Sequence, residues 1–208
     1  MKLQISLDVI DLDQALEIAD QVVDSCDILE VGSLLTYKYG LQAIEQFREK
    51  FPSKTLLADV KIVDRGKEIV SLLGQAGANW ITVMSGTDKN VIHTACTQAE
   101  KNNMNVMLDL LDAYSIGQSA MEAKNIGADA LLFHQAYDLE APQTFLDKWD
   151  MVKGNTDLPI FVSAHIKREN VEEIIKLDPA GLIIGKSITT AANPKEEAEY
   201  FYQLVKSK

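Results

Sequence analysis

The stretch Leu3-Gln4-Ile5-Ser6-Leu7-Asp8-Val9-Ile10-Asp11 decides the fold. It opens with an apolar run of strand length, reaches an acidic residue, and turns without a glycine. A doubly wound open sheet often carries a glycine-rich turn at this point, after its first strand. Working outward, seven more runs rich in Ile, Val and Leu follow: Ile28–Val31, Thr55–Ala58, Trp80–Met84, Asn105–Leu108, Ala130–Phe133, Ile160–Ser163 and Leu182–Ile184. They recur roughly every 25 residues, which is room for one strand, one helix and two short loops. The intervening segments have helical periodicity. Asp13–Val23 places Ala15, Leu16, Ile18, Ala19, Val22 and Val23 on one side, and Asn170–Leu177 and Pro194–Val205 behave similarly. Asn193–Pro194 reads as an N-cap and first turn. Gly74–Ala78 and Gly127–Ala128 read as helix exits. Eight such units without a long linker predict a single α/β domain over residues 1–208, a (β/α)8 TIM barrel; an open sheet usually has fewer strands.

The 208 residues carry a net charge of −11 and a pI near 4.7. This argues against non-specific binding to nucleic acid or to an anionic membrane, both of which need a basic face. An anionic small substrate stays compatible, because one cluster of donors can hold a phosphate on an acidic protein. Cys26 and Cys96 lack metal-ligand spacing and read as buried thiols. Around the N-terminus Asp8, Asp11 and Asp13 interrupt the apolar residues, so no targeting segment is legible. No apolar run approaches the ~18 residues of a membrane span. The expectation is a soluble, cytoplasmic protein.

In a barrel, polar residues at the C-terminal ends of strands face the catalytic mouth. Those ends supply Asp8, Glu30, Asp59 with Lys61, Ser85, Asp109, His134, Ser163 with His165, and Gly185–Lys186–Ser187. Any one of them can be a strand meeting a polar loop. So many ionisable groups at buried ends point to a task. Ala58-Asp59-Val60-Lys61-Ile62-Val63-Asp64 is the densest piece. Strand alternation puts Asp59 and Lys61 on one face, with Asp64 beyond in the loop. A lysine between carboxylates keeps its proton, and can donate to a carbanion or enolate or hold an oxyanion. A structural salt bridge is the alternative. Glu30 ends the neighbouring strand, and with Asp59 could hold a Mg²⁺ that also takes substrate oxygens. Gly185-Lys186-Ser187 follows the last strand, where such barrels usually bind phosphate. It lacks the upstream glycines of a P-loop. His134 is an acid–base or hydrogen-bonding candidate. His165 can contact phosphate or simply pack, and His93 reads as a surface or packing residue in a helix.

Asp59-Val60-Lys61-Ile62-Val63-Asp64 matches the D-x-K-x-x-D motif of the orotidine-monophosphate decarboxylase superfamily. The likeness covers essentially the whole chain, through LQISLD (Leu3–Asp8), DILEVG (Asp27–Gly32), LADVKIVD (Leu57–Asp64), AGANWITV (Ala76–Val83) and GKSI (Gly185–Ile188). Within it the chain most resembles the hexulose-6-phosphate synthase branch, with ketogulonate-6-phosphate decarboxylase as near relative. The resemblance implies Glu30 and Asp59 as Mg²⁺ ligands and Lys61 as the central acid or electrostatic stabiliser. It implies Asp8 and Asp109 on substrate hydroxyls and His134 near the reacting carbons. It also implies that Asp64 reaches into a partner's site, which makes an obligate homodimer with shared sites. Asp109, where the decarboxylase tends to have glutamate, and Tyr137, where it has arginine, resemble the synthase. Two features depart from the family: Arg65 after Asp64, and Ala164–His165 where a Gly-Gly pair usually approaches the phosphate.

The leading expectation is an aldol-type lyase joining formaldehyde to ribulose 5-phosphate, reversibly, through an enediolate. Decarboxylation of a β-keto sugar-acid phosphate would use the same intermediate, so fold alone does not separate the two. Arg65 and His165 motivate a third reading, a non-catalytic sugar-phosphate binder. The joint presence of Glu30, Asp59, Lys61 and Asp64 speaks against it.

Overall fold

The computed structural model describes residues 1–139 and 147–207. Its strands are β1 (Lys2–Leu7), β2 (Ile28–Val31), β3 (Thr55–Ile62), β4 (Trp80–Met84), β5 (Asn105–Asp109), β6 (Ala130–His134), β7 (Ile160–Ser163) and β8 (Gly181–Ile184). They form a closed barrel in chain order, and β8 returns to pair with β1. All neighbours are parallel, so each connection must cross back over the barrel, and helices do this. The helices are α1 (Leu12–Val22), α2 (Ser33–Tyr39), α3 (Leu41–Lys50), α4 (Gly66–Gln75), α5 (Lys89–Lys101), α6 (Ile116–Ile126), α7 (Trp149–Lys153), α8 (Val171–Lys176), α9 (Lys186–Thr189) and α10 (Pro194–Lys206).

Alternation along the strands builds two cores. One parity, including Leu3, Ile5, Leu29, Ala58, Ile81 and Val106, packs outward on helix residues such as Ala15, Ile18, Phe47 and Phe201. The other parity points into the barrel. There Ile28, Leu57, Met107, Ala130, Leu132, Phe161 and Ile183 form a separate apolar plug. Near the C-terminal ends the inward parity turns polar, with Glu30, Asp59, Thr82 and Asp109 all buried. This change explains why β3, β5 and β6 outrun their apolar runs: the ladder continues to Ile62, Asp109 and His134 after the inward side chains stop being hydrophobic.

The opposite end of the barrel is closed by side chains that precede even-numbered strands. Asp27, Asn79 and Asp129 accept from the backbone N–H groups of Leu3, Leu56 and Val106 at 2.8, 2.9 and 2.8 Å. Each also returns its own N–H to the carbonyl of the same residue. Helix ends are held by side-chain caps and by glycine, at Asn193 and Gly127 as the sequence predicts. Asp11 accepts from Gln14 N at 2.9 Å, Asn193 accepts from Glu196 N at 3.3 Å, and Gly127 closes α6 at φ 105°. Cys26 and Cys96 are buried free thiols, and burial pushes them up to about 11 and about 12. Among the described residues no helix is long and apolar enough to cross a membrane.

Candidate active site

The inward polar residues form one connected cluster. Glu30 is 7% exposed; its Oε1 accepts from Ser6 Oγ at 2.7 Å and its Oε2 from Gln4 Nε2 at 2.5 Å. Both donors stand on β1, two residues apart, so they share the inward face. Neither was singled out from the sequence. Their parity was the available signal, because Gln4 and Ser6 alternate with Leu3, Ile5 and Leu7. Gln4 Oε1 is buried without a hydrogen-bond partner among the described residues.

Asp59 and Lys61 meet as their spacing predicts, Lys61 Nζ donating to Asp59 Oδ2. Simple alternation is not the whole cause. Between the pairs Ala58↔Ile81 and Ile62↔Val83 the β3 chain advances four residues and β4 two, so β3 bulges. Lys61 sits on the bulge at φ 48°, a left-handed conformation that costs a lysine roughly 1–2 kcal/mol. Thr82 on β4 offsets this. Its hydroxyl accepts from Val60 N at 3.0 Å and Lys61 N at 2.9 Å, and donates to Asp59 Oδ1 at 2.8 Å. Thr82 is thus a site residue that sequence reasoning missed. Burial alone would lower the Lys61 ammonium. The charge and hydrogen bond of Asp59, helped by Asp109 and Glu30, outweigh it and hold Lys61 above its ordinary value. For Glu30, burial first and the Asp59 charge second push the carboxyl up from 4.5 to about 7.

Asp109 is 0% exposed. Its Oδ1 accepts from Leu111 N at 2.9 Å and its Oδ2 pairs with His134 Nδ1 at 2.9 Å. Burial lowers His134, but the bond to Asp109 and its charge prevail and raise it. With Nδ1 engaged, Nε2 is the ring nitrogen left for proton transfer. The resemblance implied a substrate contact for Asp109; here each of its oxygens has one protein partner.

The remaining candidates lie on the rim. Asp8 Oδ1 accepts from Leu34 N at 3.0 Å, which ties the end of β1 to the start of α2. Gly32 permits this approach, since a Cβ there would fall 2.6 Å from Asp8 Cα. Asp64 is exposed, with Oδ1 accepting from Arg65 N at 2.7 Å. Ser85 and Gly86 are held by Asp112 from the next loop. His165 stands past β7 at φ 48°. Gly185 precedes α9, a helix of only four residues, and Lys186 is exposed. Ser187 Oγ donates to Ile166 O at 2.6 Å, which joins the loops after β7 and β8. His93 is an exposed residue of α5. In an eight-stranded closed barrel β3 and β7 are diametrically opposed, so Asp59 and Lys61 face the His165 side across the mouth.

A (β/α)8 barrel with a lysine–carboxylate centre is the class that fold and site define, and the chain belongs to the Orotidine 5'-phosphate decarboxylase / HUMPS family, whose model matches residues 1–201. A 3-hexulose-6-phosphate synthase of Bacillus subtilis is 30% identical over 207 residues, covering 99% of each chain. A crystal structure of 3-hexulose-6-phosphate synthase from Salmonella typhimurium superposes with a TM-score of 0.92 at 32% identity, covering 100% of this chain and 99% of the other. A decarboxylase structure, KGPDC from Streptococcus mutans, reaches a TM-score of 0.90 at 23% identity, covering 99% of this chain and 97% of the other, and is a likeness of fold.

The raised Glu30 predicts a trade between stability and chemistry. The unfolded chain releases this proton near 4.5 and the folded chain near 7. The folded state therefore binds more protons between those values, and stability falls as pH rises through them. Glu30→Gln removes the buried charge and offers an amide donor to the orphaned Gln4 Oε1. At pH 8, in metal-free buffer, its melting temperature is expected about 5 °C above wild type. The gain should vanish near pH 4.5, and a variant less stable than wild type at pH 8 contradicts this account.

Proposed function

We propose that this chain is a carbon–carbon lyase of the 3-hexulose-6-phosphate synthase type. It would join formaldehyde to C1 of ribulose 5-phosphate through a 1,2-enediolate. The observation that carries the reading is the buried Lys61 ammonium, held above its ordinary value by three carboxylates and positioned by Thr82. A fixed cation of this kind stabilises negative charge that develops only as the substrate reacts. Relatives at 30% identity and above that are named as synthases, together with Asp109 and Tyr137, favour the aldol reaction over decarboxylation.

Glu30 and Asp59 suit a divalent cation. Two adjacent carboxylates repel one another, and each oxygen accepts a single protein hydrogen bond. Among the described residues no three His, Cys, Asp or Glu side chains assemble into a protein-only cage. Mg²⁺ tolerates this, because it keeps waters and takes substrate oxygens. When bound, the ion supplies charge neutralisation at an enediolate oxygen.

The protein's own groups account for the proton. His134, oriented by Asp109, takes the C1 proton on Nε2 while Lys61 holds the developing oxyanion. As C1 attacks formaldehyde, the aldehyde oxygen gains negative charge and His134 returns the proton to it. One proton leaves carbon and one arrives on oxygen, so the site ends as it began. Asp109 is a positioning residue in this scheme. Asp8 meets substrate hydroxyls, and Gly185, Lys186, Ser187 and His165 hold the phosphate. Asp64, turned outward on the rim, completes the site of a second copy in a homodimer.

Two experiments test this reading. Purified protein with Mg²⁺ is assayed for formaldehyde loss with ribulose 5-phosphate and, separately, for CO₂ release from 3-keto-L-gulonate 6-phosphate. Turnover is expected mainly in the first arm, and Lys61→Ala should lower it by at least about a hundredfold with the fold intact. Turnover mainly in the second arm would establish the decarboxylase instead. For the shared site, Glu30→Ala and Asp64→Ala chains, each inactive alone, are mixed. Recovered activity is expected, and no recovery despite confirmed subunit exchange rules the shared site out.

A further inference from the structure

Three side chains from three successive loops meet on the rim opposite Lys61. Tyr137 follows β6, His165 follows β7 and Lys186 follows β8. Lys186 Nζ donates to the Tyr137 hydroxyl oxygen at 2.6 Å and lies 5.3 Å from the centre of its ring. His165 also neighbours that ring, 5.6 Å away between centroids and tilted by 37°. His165 Nε2 also lies 3.4 Å from the carbonyl oxygen of Ala136, next to Tyr137. Tyr137 is therefore flanked by two bases, although it is 63% exposed.

Burial does not explain a tyrosine so placed, and the direction of its hydrogen bond does point to a task. Because the oxygen accepts from an ammonium, its own proton turns away from Lys186. Among the described residues that proton meets no acceptor. Lys186 keeps two further N–H donors, and an imidazole adds another. The charges around the mouth are also divided. Asp8, Glu30, Asp59, Asp64 and Asp109 lie at or just past the ends of β1, β2, β3 and β5, with the cations Lys61 and Arg65 among them at β3, while His165 and Lys186 follow β7 and β8. Over these groups the first arc is net negative and the second is not, which favours a dianion beside the second.

We propose that Tyr137 is a specificity-determining residue, the third arm of a side-chain clamp with Lys186 and His165 for the substrate's terminal phosphate dianion. Lys186 supplies charge and orients Tyr137. The tyrosine hydroxyl donates to one phosphate oxygen, and His165 closes the far side. His165 has a left-handed backbone, which a glycine adopts more freely, and places an imidazole there. The clamp deepens the proposed sugar-phosphate reading and rests on it for the identity of the substrate.

The test compares wild type, Tyr137→Phe, Lys186→Gln and the double variant, all as full chains. Steady-state kinetics use ribulose 5-phosphate at saturating formaldehyde, and calorimetry uses inorganic phosphate as the probe. Tyr137→Phe is expected to raise KM about tenfold, with kcat within about twofold and an unchanged melting temperature. Phosphate binding should weaken by a similar factor. The double variant should lose less than the product of the single losses, because the two side chains act together. Unchanged KM and unchanged phosphate affinity in Tyr137→Phe overturn the clamp. A fall in kcat at constant KM also overturns it, and places Tyr137 at the reacting carbons. If wild type turns over no ribulose 5-phosphate, the synthase reading fails by itself. The phosphate titration then decides the clamp alone: weaker binding in Tyr137→Phe supports it, and equal binding rejects it.

Discussion

The contact between the Lys61 ammonium and the Asp59 carboxylate is the constraint around which the mouth is built. A buried carboxylate without a partner is costly, and so is a buried ammonium. Together they are tolerated, provided the backbone brings them face to face. The β3 bulge does so at the expense of a left-handed lysine. Thr82 then secures the bulge with three hydrogen bonds from one hydroxyl. Glu30 and Asp109 add negative charge, which keeps the proton on Lys61 and raises Glu30. Lys61 and Glu30 are thus shifted from their ordinary states by their neighbours, as expected where binding and chemistry are prepared in advance.

The barrel itself was legible because its physics is periodic. Apolar runs at regular spacing, helix exits at Gly77 and Gly127, and a first turn without glycine all point to eight repeated units. Strand ends were legible more coarsely. Apolar runs stop where the inward face turns polar, one to four residues before the ladder ends at Asp109, His134 or Ile62. The ionisable members of the site stood out by type: Glu30, Asp59, Lys61, Asp109 and His134. Gln4, Ser6 and Thr82 did not, since uncharged polar residues in strands carry no distinctive signal until parity assigns them to the interior. The bulge left no mark either. It depends on β4 pairing with β3 in a shifted register, which is a property of two strands and not of one.

The order of polar residues along the strand ends also shows how charge divides around the mouth. The chain is acidic throughout, at −11, yet the ends of β7 and β8 carry His165 and Lys186 opposite an arc of carboxylates. Such an arrangement orients a substrate that is anionic at one end and reactive at the other. On the proposed reading, the phosphate end would lie at the basic arc and the carbonyl end at Lys61. Specificity and catalysis would then lie on opposite sides of one barrel, on strands whose relative positions are fixed by the closed ladder.

The central claim is that Lys61 stabilises an enediolate formed before any carbon–carbon bond. Proton NMR of ribulose 5-phosphate in D₂O, without formaldehyde, reads this step directly as loss of a C1 proton signal. Wild type is predicted to exchange the proton, and Lys61→Ala to leave it in place while still binding ribulose 5-phosphate. Exchange by Lys61→Ala at the wild-type rate would contradict the account.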